Sequence, residues 1–222
     1  MTVRAKICGI RSEADLRIAV AAGADAVGFI SGVTHFSEDA LDAERAAELS
    51  RVVPPFVTRV LVTHLEEAGA IVELADRVGV DMIQVHGLVS ADTLRAVHKN
   101  AGGRKIIKAI HVLGPEAVDA ALRTASDCDA VLLDSRTADR LGGTGRTHDW
   151  SVSAAVVSAL RDLGCPVILA GGLGPHNIVE AIARVNPFAV DVNSGVETVA
   201  GDKNPDACTA FVTAAHRTGR TE

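Results

Sequence analysis

Short apolar runs rich in β-branched residues alternate along the chain with longer amphipathic stretches. Eight such runs are read at residues 3–7, 26–30, 57–62, 81–85, 105–110, 130–133, 166–170 and 188–192, each followed by a helix-length segment. Near-continuous apolar strands separated by helical patterns predict a parallel sheet covered on both faces. Eight units in 222 residues favour closure into a single (β/α)8 TIM barrel of the α/β class over an open sheet. The helix signals agree: Ser12 precedes the periodic positions Leu16, Ile18, Ala19 and Ala22, with Gly23 as the stop, and Ser90 and Asp149 offer further starts. With no linker or low-complexity tract, residues 1–222 are expected to form one domain.

In such a barrel the active site is built at the C-terminal ends of the strands. The residues expected there are Cys8, Ser31, His64, His86, Lys108, Asp134, Gly171 and Asp191. The last two runs are each followed by a glycine segment, Leu169-Ala170-Gly171-Gly172-Leu173 and Val190-Asp191-Val192-Asn193-Ser194-Gly195-Val196-Glu197. Backbone N–H groups of glycine turns and helix N-termini bind phosphate without a cationic side chain, so the expected ligand is a phosphate ester held by Gly171, Gly172, Ser194 and Gly195. Gly142-Gly143-Thr144-Gly145 forms a third glycine-rich loop, after the sixth run.

Each candidate also has a plainer reading. Cys8, at the end of the first run, is either a small buried hydrophobe or a reactive thiol. Asp134 follows three apolar residues and must be paired, capping or functional, because an unpartnered buried carboxylate is costly. His86 is equally a ligand contact or a hydrogen-bonded structural histidine. Asp191 either meets a substrate hydroxyl or ties down the loop to Asn193.

Composition narrows the field further. A net charge of −6 with 23% charged residues gives no basic field for nucleic acid or anionic lipid, and only one Trp, no Tyr and five Phe leave little for base stacking. No run approaches the roughly 20 apolar residues that span a bilayer, so a cytoplasmic enzyme of small metabolites is expected. The four cysteines show no metal-ligand spacing, and the strand-end residues suggest no convincing His/Asp ligand set, so no metal is expected.

Taken in order, several segments resemble the phosphoribosylanthranilate isomerase family of tryptophan biosynthesis along nearly the full chain. They are Lys6-Ile7-Cys8-Gly9-Ile10, Gly23-Ala24-Asp25-Ala26-Val27-Gly28-Phe29-Ile30, Ile83-Gln84-Val85-His86-Gly87 and Leu132-Leu133-Asp134-Ser135. Gly142 to Trp150, Ala170-Gly171-Gly172-Leu173 with Asn177, and Asp191 to Glu197 complete the set. The resemblance implies a cofactor-free Amadori rearrangement of a small phosphosugar, in a monomer or homodimer. Cys8 matches the family's general base and Asp134 its general acid, and the phosphate would lie on Gly172, Ser194 and Gly195.

One stretch departs from the pattern. Where the family carries Ser-Pro-Arg after the second strand, with the arginine holding the anthranilate carboxylate, this chain reads Ser31-Gly32-Val33-Thr34-His35-Phe36-Ser37-Glu38, with no arginine before Arg45. His35, Thr34, Arg59 and Arg136 are the candidate replacements, and Arg45 is expected to face away on the next helix. His64 stands where the family usually has asparagine, and Asn193 where it has serine. The alternatives are therefore an Amadori isomerase of a different N-substituted phosphoribosylamine, or a non-catalytic phosphosugar-binding paralogue.

Overall fold

The computed structural model describes residues 2–34, 36–135 and 148–218. The described residues form nine parallel strands in chain order: β1 Arg4–Ile7, β2 Ala26–Ser31, β3 Ala40–Leu41, β4 Thr58–Thr63, β5 Met82–Val85, β6 Lys105–Val112, β7 Ala130–Ser135, β8 Val167–Leu169 and β9 Ala189–Val192. Hydrogen bonding runs β1-β9-β8-β7-β6-β5-β4-β2, and β2 pairs back onto β1 through Lys6 with Ala26 and Ile7 with Val27. Eight strands therefore close into the expected barrel. The two-residue β3 is an extra pairing on the end of β2, through Ile30 with Ala40 and Ser31 with Leu41.

The helices are α1 Glu13–Ala21, α2 Ala43–Arg51, α3 Ala68–Val78, α4 Ala91–Asn100, α5 Glu116–Thr124, α6 Trp150–Arg161, α7 Ile178–Val185 and α8 Pro205–Arg217. The expected starts are in place. Ser12 caps α1 in a reciprocal capping box with Asp15, Ser90 accepts from the Thr93 N–H, and Asp149 accepts from the Ser151 N–H. Each cap satisfies a backbone donor that the helix itself leaves unpaired.

Strand alternation splits the apolar residues into two layers. One face, including Ile7, Phe29, Leu61, Ile83, Leu133 and Val190, packs beneath the helices. The other fills the barrel: Ile30, Val62, Ala109, Leu132, Ile168 and Ala189 cluster there, together with Cys8. Polar residues that continue the inward parity therefore emerge at the mouth. Among the described residues no helix is long and apolar enough to cross a membrane.

Candidate active site

The inward parity of β1 carries Lys6 and then Cys8, and both are buried, as is Asp191 on β9. Lys6 Nζ donates to Asp191 Oδ2 at 2.9 Å, an ion pair closed to water on both sides. Burial alone would lower the Lys6 pKa, but Asp191 and the neighbouring Cys8 raise it above the ordinary lysine value, so the ammonium persists. For Cys8 burial pushes the thiol up, Lys6 pulls it down and Asp191 pushes it up again, leaving it above the ordinary thiol value. The β2 backbone makes room for this group, since a side chain at Gly28 would come within 2.8 Å of Cys8 Sγ.

Across the mouth, β4, β5, β6 and β7 contribute His64, His86, His111 and Asp134. The ring centroids of His64 and His86 are 4.9 Å apart and those of His86 and His111 5.1 Å, both edge-on. His86 Nε2 lies 3.4 Å from Asp134 Oδ2, and Gln84 Nε2 reaches His86 Nδ1 at 3.1 Å. Asp134 Oδ1 accepts from the Ser135 N–H at 2.8 Å. Burial pushes the Asp134 carboxyl up; the hydrogen bond and charge of His86, the charge of His111 and the Ser135 N–H outweigh it, and the group stays below the usual carboxylate value.

Lys108 sits on β6 behind this cluster, its pKa lowered by burial to about 8. Its ammonium donates to the carbonyls of Val85, Gly87 and Ala109 at 3.3, 2.9 and 2.8 Å, which fixes the segment carrying His86. It thus supports the site from behind. Ser31 is similarly structural, donating to the Leu41 carbonyl.

The glycine loops after β8 and β9 meet each other. Gly171 and Gly172 both take positive φ, at 83° and 67°, as only glycine does readily. A side chain on Gly195 would lie 1.9 Å from the Leu173 carbonyl oxygen, so glycine is what lets the loops touch. Asn177 closes the first loop, accepting from the Gly174 N–H and donating to the Gly172 carbonyl, each at 2.9 Å. The second is a short 3-10 turn, Ser194–Val196, anchored by buried Lys203, which donates to Asn193 Oδ1 at 2.7 Å and Glu197 Oε1 at 2.6 Å.

Several expectations change. Asp191 does not tie down Asn193: its Oδ2 accepts from Lys6, while its Oδ1 has no hydrogen-bond partner among the described residues. Arg59 starts β4 at the opposite end of the barrel and is engaged there with Asp81, its Nε 2.9 Å from Oδ2, so it is no candidate for the mouth. Arg45 lies on α2, bonded to Glu48, as expected. His35, Arg136 and the Gly142 to Gly145 loop lie outside the described residues. The sequence suggested no His/Asp ligand set, yet His86, His111 and Asp134 each present a ligand atom within 4.8 Å of the other two.

His111, Lys6 and Lys203 were missed. The fifth apolar run was ended at residue 110, whereas β6 continues to Val112, and the parity of Ile107 and Ala109 carries straight to His111. The same parity argument from Cys8 points back to Lys6. Nothing local in the sequence marks Lys203.

Ionisable side chains gathered from several strands at the C-terminal mouth, beside two glycine loops, define a (β/α)8-barrel enzyme. Residues 5–214 match the family model described as N-(5'phosphoribosyl)anthranilate (PRA) isomerase, and the chain belongs to that family. It is 39% identical over 212 residues to N-(5'-phosphoribosyl)anthranilate isomerase 2 of Methanosarcina mazei, covering 95% of this chain and 92% of the relative. Its identity to the Halorubrum lacusprofundi isomerase is 43% over 214 residues, covering 96% and 97%. Among solved structures, the Thermotoga maritima phosphoribosyl anthranilate isomerase superposes with a TM-score of 0.83 at 37% identity, covering 96% of this chain and 98% of that one. An isomerase complexed with reduced 1-(o-carboxyphenylamino)-1-deoxyribulose 5-phosphate gives 0.80 at 35% identity, with the same coverage.

Proposed function

We propose that the chain, as one domain over residues 1–222, isomerises N-(5'-phosphoribosyl)anthranilate to 1-(2-carboxyphenylamino)-1-deoxyribulose 5-phosphate in tryptophan biosynthesis. The observation that carries this reading is the meeting of a buried thiol on β1 and a buried carboxyl on β7 at one mouth, in a chain matching the isomerase family over residues 5–214. On the shorter path round the ring only β9 and β8 separate them. Asp134 protonates the furanose oxygen as the ring opens to the Schiff base, and Cys8 removes the C2 proton. The enolamine then tautomerises to the aminoketose. The imine is its own electron sink, so the scheme needs no cofactor.

Gly171, Gly172, Ser194 and Gly195 bind the 5'-phosphate through backbone N–H groups. The contact of the two loops at Leu173 and Gly195 supports a single cradle. His86 faces the sugar and holds Asp134. Asp191, its Oδ2 held by Lys6, offers its Oδ1, unpartnered among the described residues, to a substrate hydroxyl.

The aryl end needs a cation in place of the missing arginine. Glu38 and Asp39 occupy that stretch, and Asp39 Oδ1 lies 3.7 Å from Arg11 Nε while Asp39 Oδ2 accepts from Asn193 at 2.7 Å. Arg11, in the loop after β1, thereby reaches the β2 side of the mouth, and we assign it the anthranilate carboxylate in exchange for Asp39. Its removal should raise KM for phosphoribosylanthranilate with little change in kcat, since charged hydrogen bonds of this kind are worth about 1.5 to 3 kcal/mol. The enzyme acts in the cytoplasm as a monomer or homodimer, without nucleic acid.

The test is the loss of phosphoribosylanthranilate fluorescence with wild type beside Cys8→Ala and Asp134→Asn. Turnover by wild type and losses of about 10²- to 10⁴-fold in both variants support the reading. A folded wild type that binds inorganic phosphate without turning over phosphoribosylanthranilate would favour a different N-substituent or a binding paralogue.

A further inference from the structure

We propose that His86, His111 and Asp134 form a binding site for a divalent transition-metal ion, zinc by preference, and that the ion inhibits by taking Asp134 out of acid catalysis. The inhibitory half rests on the acid role proposed for Asp134; the binding half does not. Two imidazoles and a carboxylate are the ligand chemistry of zinc and cobalt, and a tetrahedral ion with bonds near 2.0–2.1 Å sets its ligand atoms about 3.3 Å apart. His86 Nε2 and Asp134 Oδ2 are already 3.4 Å apart, and one ligand atom of His111 completes a set within 4.8 Å. The remaining closure is small. The His111 ring, its centroid 5.1 Å from that of His86, is the one that must move to close the set.

The surroundings are those of ligands held in place. Asp134 Oδ1 is occupied by the Ser135 N–H, which leaves Oδ2 as the atom turned to the cluster. His86 lies between Val85 and Gly87, whose carbonyls are both pinned by Lys108. A second observation points the same way. Gln84 is 2% exposed and its Oε1 is buried with no hydrogen-bond partner among the described residues, while its Nε2 faces His86 Nδ1. A half-turn of the amide presents Oε1 to a protonated Nδ1, freeing the Nε2 lone pair for a metal, the arrangement in which metal-bound histidines are usually oriented. Metal entry thus exchanges the Nε2 proton contact with Asp134 for two metal–ligand bonds. No redox step is involved.

The test begins with protein freed of metal by a chelator and titrated with Co²⁺. We expect one equivalent to bind with the visible bands of tetrahedral cobalt, and Zn²⁺ to displace it. His111→Gln should weaken Co²⁺ binding by more than the roughly 10- to 100-fold that loss of an outer-shell partner costs, because a ligand itself is removed. Asp134→Asn is the second variant should His111→Gln fold poorly, with circular dichroism as the check on both. Zn²⁺ should also abolish phosphoribosylanthranilate turnover, reversibly with chelator. No cobalt spectrum, binding unaltered in both variants, or thiolate charge-transfer bands that vanish in Cys8→Ala would each overturn the site. Binding as expected with turnover unimpaired keeps the site but overturns the inhibition and, with it, the acid role of Asp134.

Discussion

On the β1/β9 side of the mouth a thiol shares its surroundings with an ammonium and a carboxylate; on the β5/β6/β7 side a carboxyl faces two imidazoles. Burial favours the neutral acid on both sides, yet Cys8 ends above its ordinary pKa and Asp134 below. The difference lies in how the neighbouring charge is already spent. Lys6 pulls Cys8 down, but Asp191, bonded to Lys6 at 2.9 Å, pushes it back up, and burial prevails. The positive potential of His86 and His111 falls on Asp134 itself. The resting site therefore holds a thiol and a carboxylate, whereas the proposed reaction starts from a thiolate and a carboxylic acid. These two states have the same net charge and differ only in where one proton sits, so substrate binding redistributes a proton without uptake from solvent. The anionic phosphate and carboxylate of the substrate, and the exclusion of water, raise both acids, so what decides the redistribution is which acid lies nearer those anions.

The comparison is broken most severely at Lys6. Lys6→Met leaves Asp191 as a buried, unpaired carboxylate and should destabilise the fold by about 3 to 5 kcal/mol, read by urea denaturation. In whatever fraction folds, Cys8 should titrate still higher, because the one cation that lowers it most is gone. Gly195→Ala comes next: a methyl group 1.9 Å from the Leu173 carbonyl oxygen must part the two loops. KM and the inhibition constant of inorganic phosphate should rise together by about tenfold or more, with kcat less affected, as expected for a lost charged hydrogen bond.

His86→Asn sharpens the comparison on the other side. Removing the largest of the influences that lower Asp134 should move the acid limb of the kcat/KM profile up toward the ordinary carboxyl range. The sign follows from linkage: a carboxyl held low in the folded state stabilises the protein above its unfolded pKa, and that contribution is lost as pH falls through the folded value. The His86→Asn protein should therefore lose less stability on acidification than wild type. Arg45→Ala is the smallest change. Its exposed pair with Glu48 on α2 is worth at most about 0.5 kcal/mol, and neither rate nor melting temperature should move appreciably.

The barrel was legible in the sequence because its strands are buried on both faces and read as apolar runs, and because Ser12, Ser90 and Asp149 mark helix starts. The extra pairing at Ala40 and Leu41 was not, since two residues carry no period. At the site, Cys8, Asp134 and the glycine loops follow from their places after apolar runs. His111 lies just past the apolar run that ends at Ile110, because β6 continues to Val112 through a polar residue. The Lys6–Asp191 pair was hidden for a different reason: its partners are 185 residues apart, and only closure of β1 onto β9 brings them together. The states of the two acids were beyond sequence altogether. At Cys8 burial, with Asp191 behind it, outweighs the pull of Lys6, a balance no local sequence pattern carries.

The most direct measurement is the pH dependence of kcat/KM for phosphoribosylanthranilate, taken beside a thiolate titration of Cys8 in the free enzyme. A plateau across neutral pH is expected, with an acid limb that moves with His86→Asn and a basic limb that coincides with deprotonation of Cys8 above the ordinary thiol range. Thiolate formation at Cys8 on the acid limb instead would contradict it, because the thiol would then rest ionised and the two sides of the mouth would not be opposed.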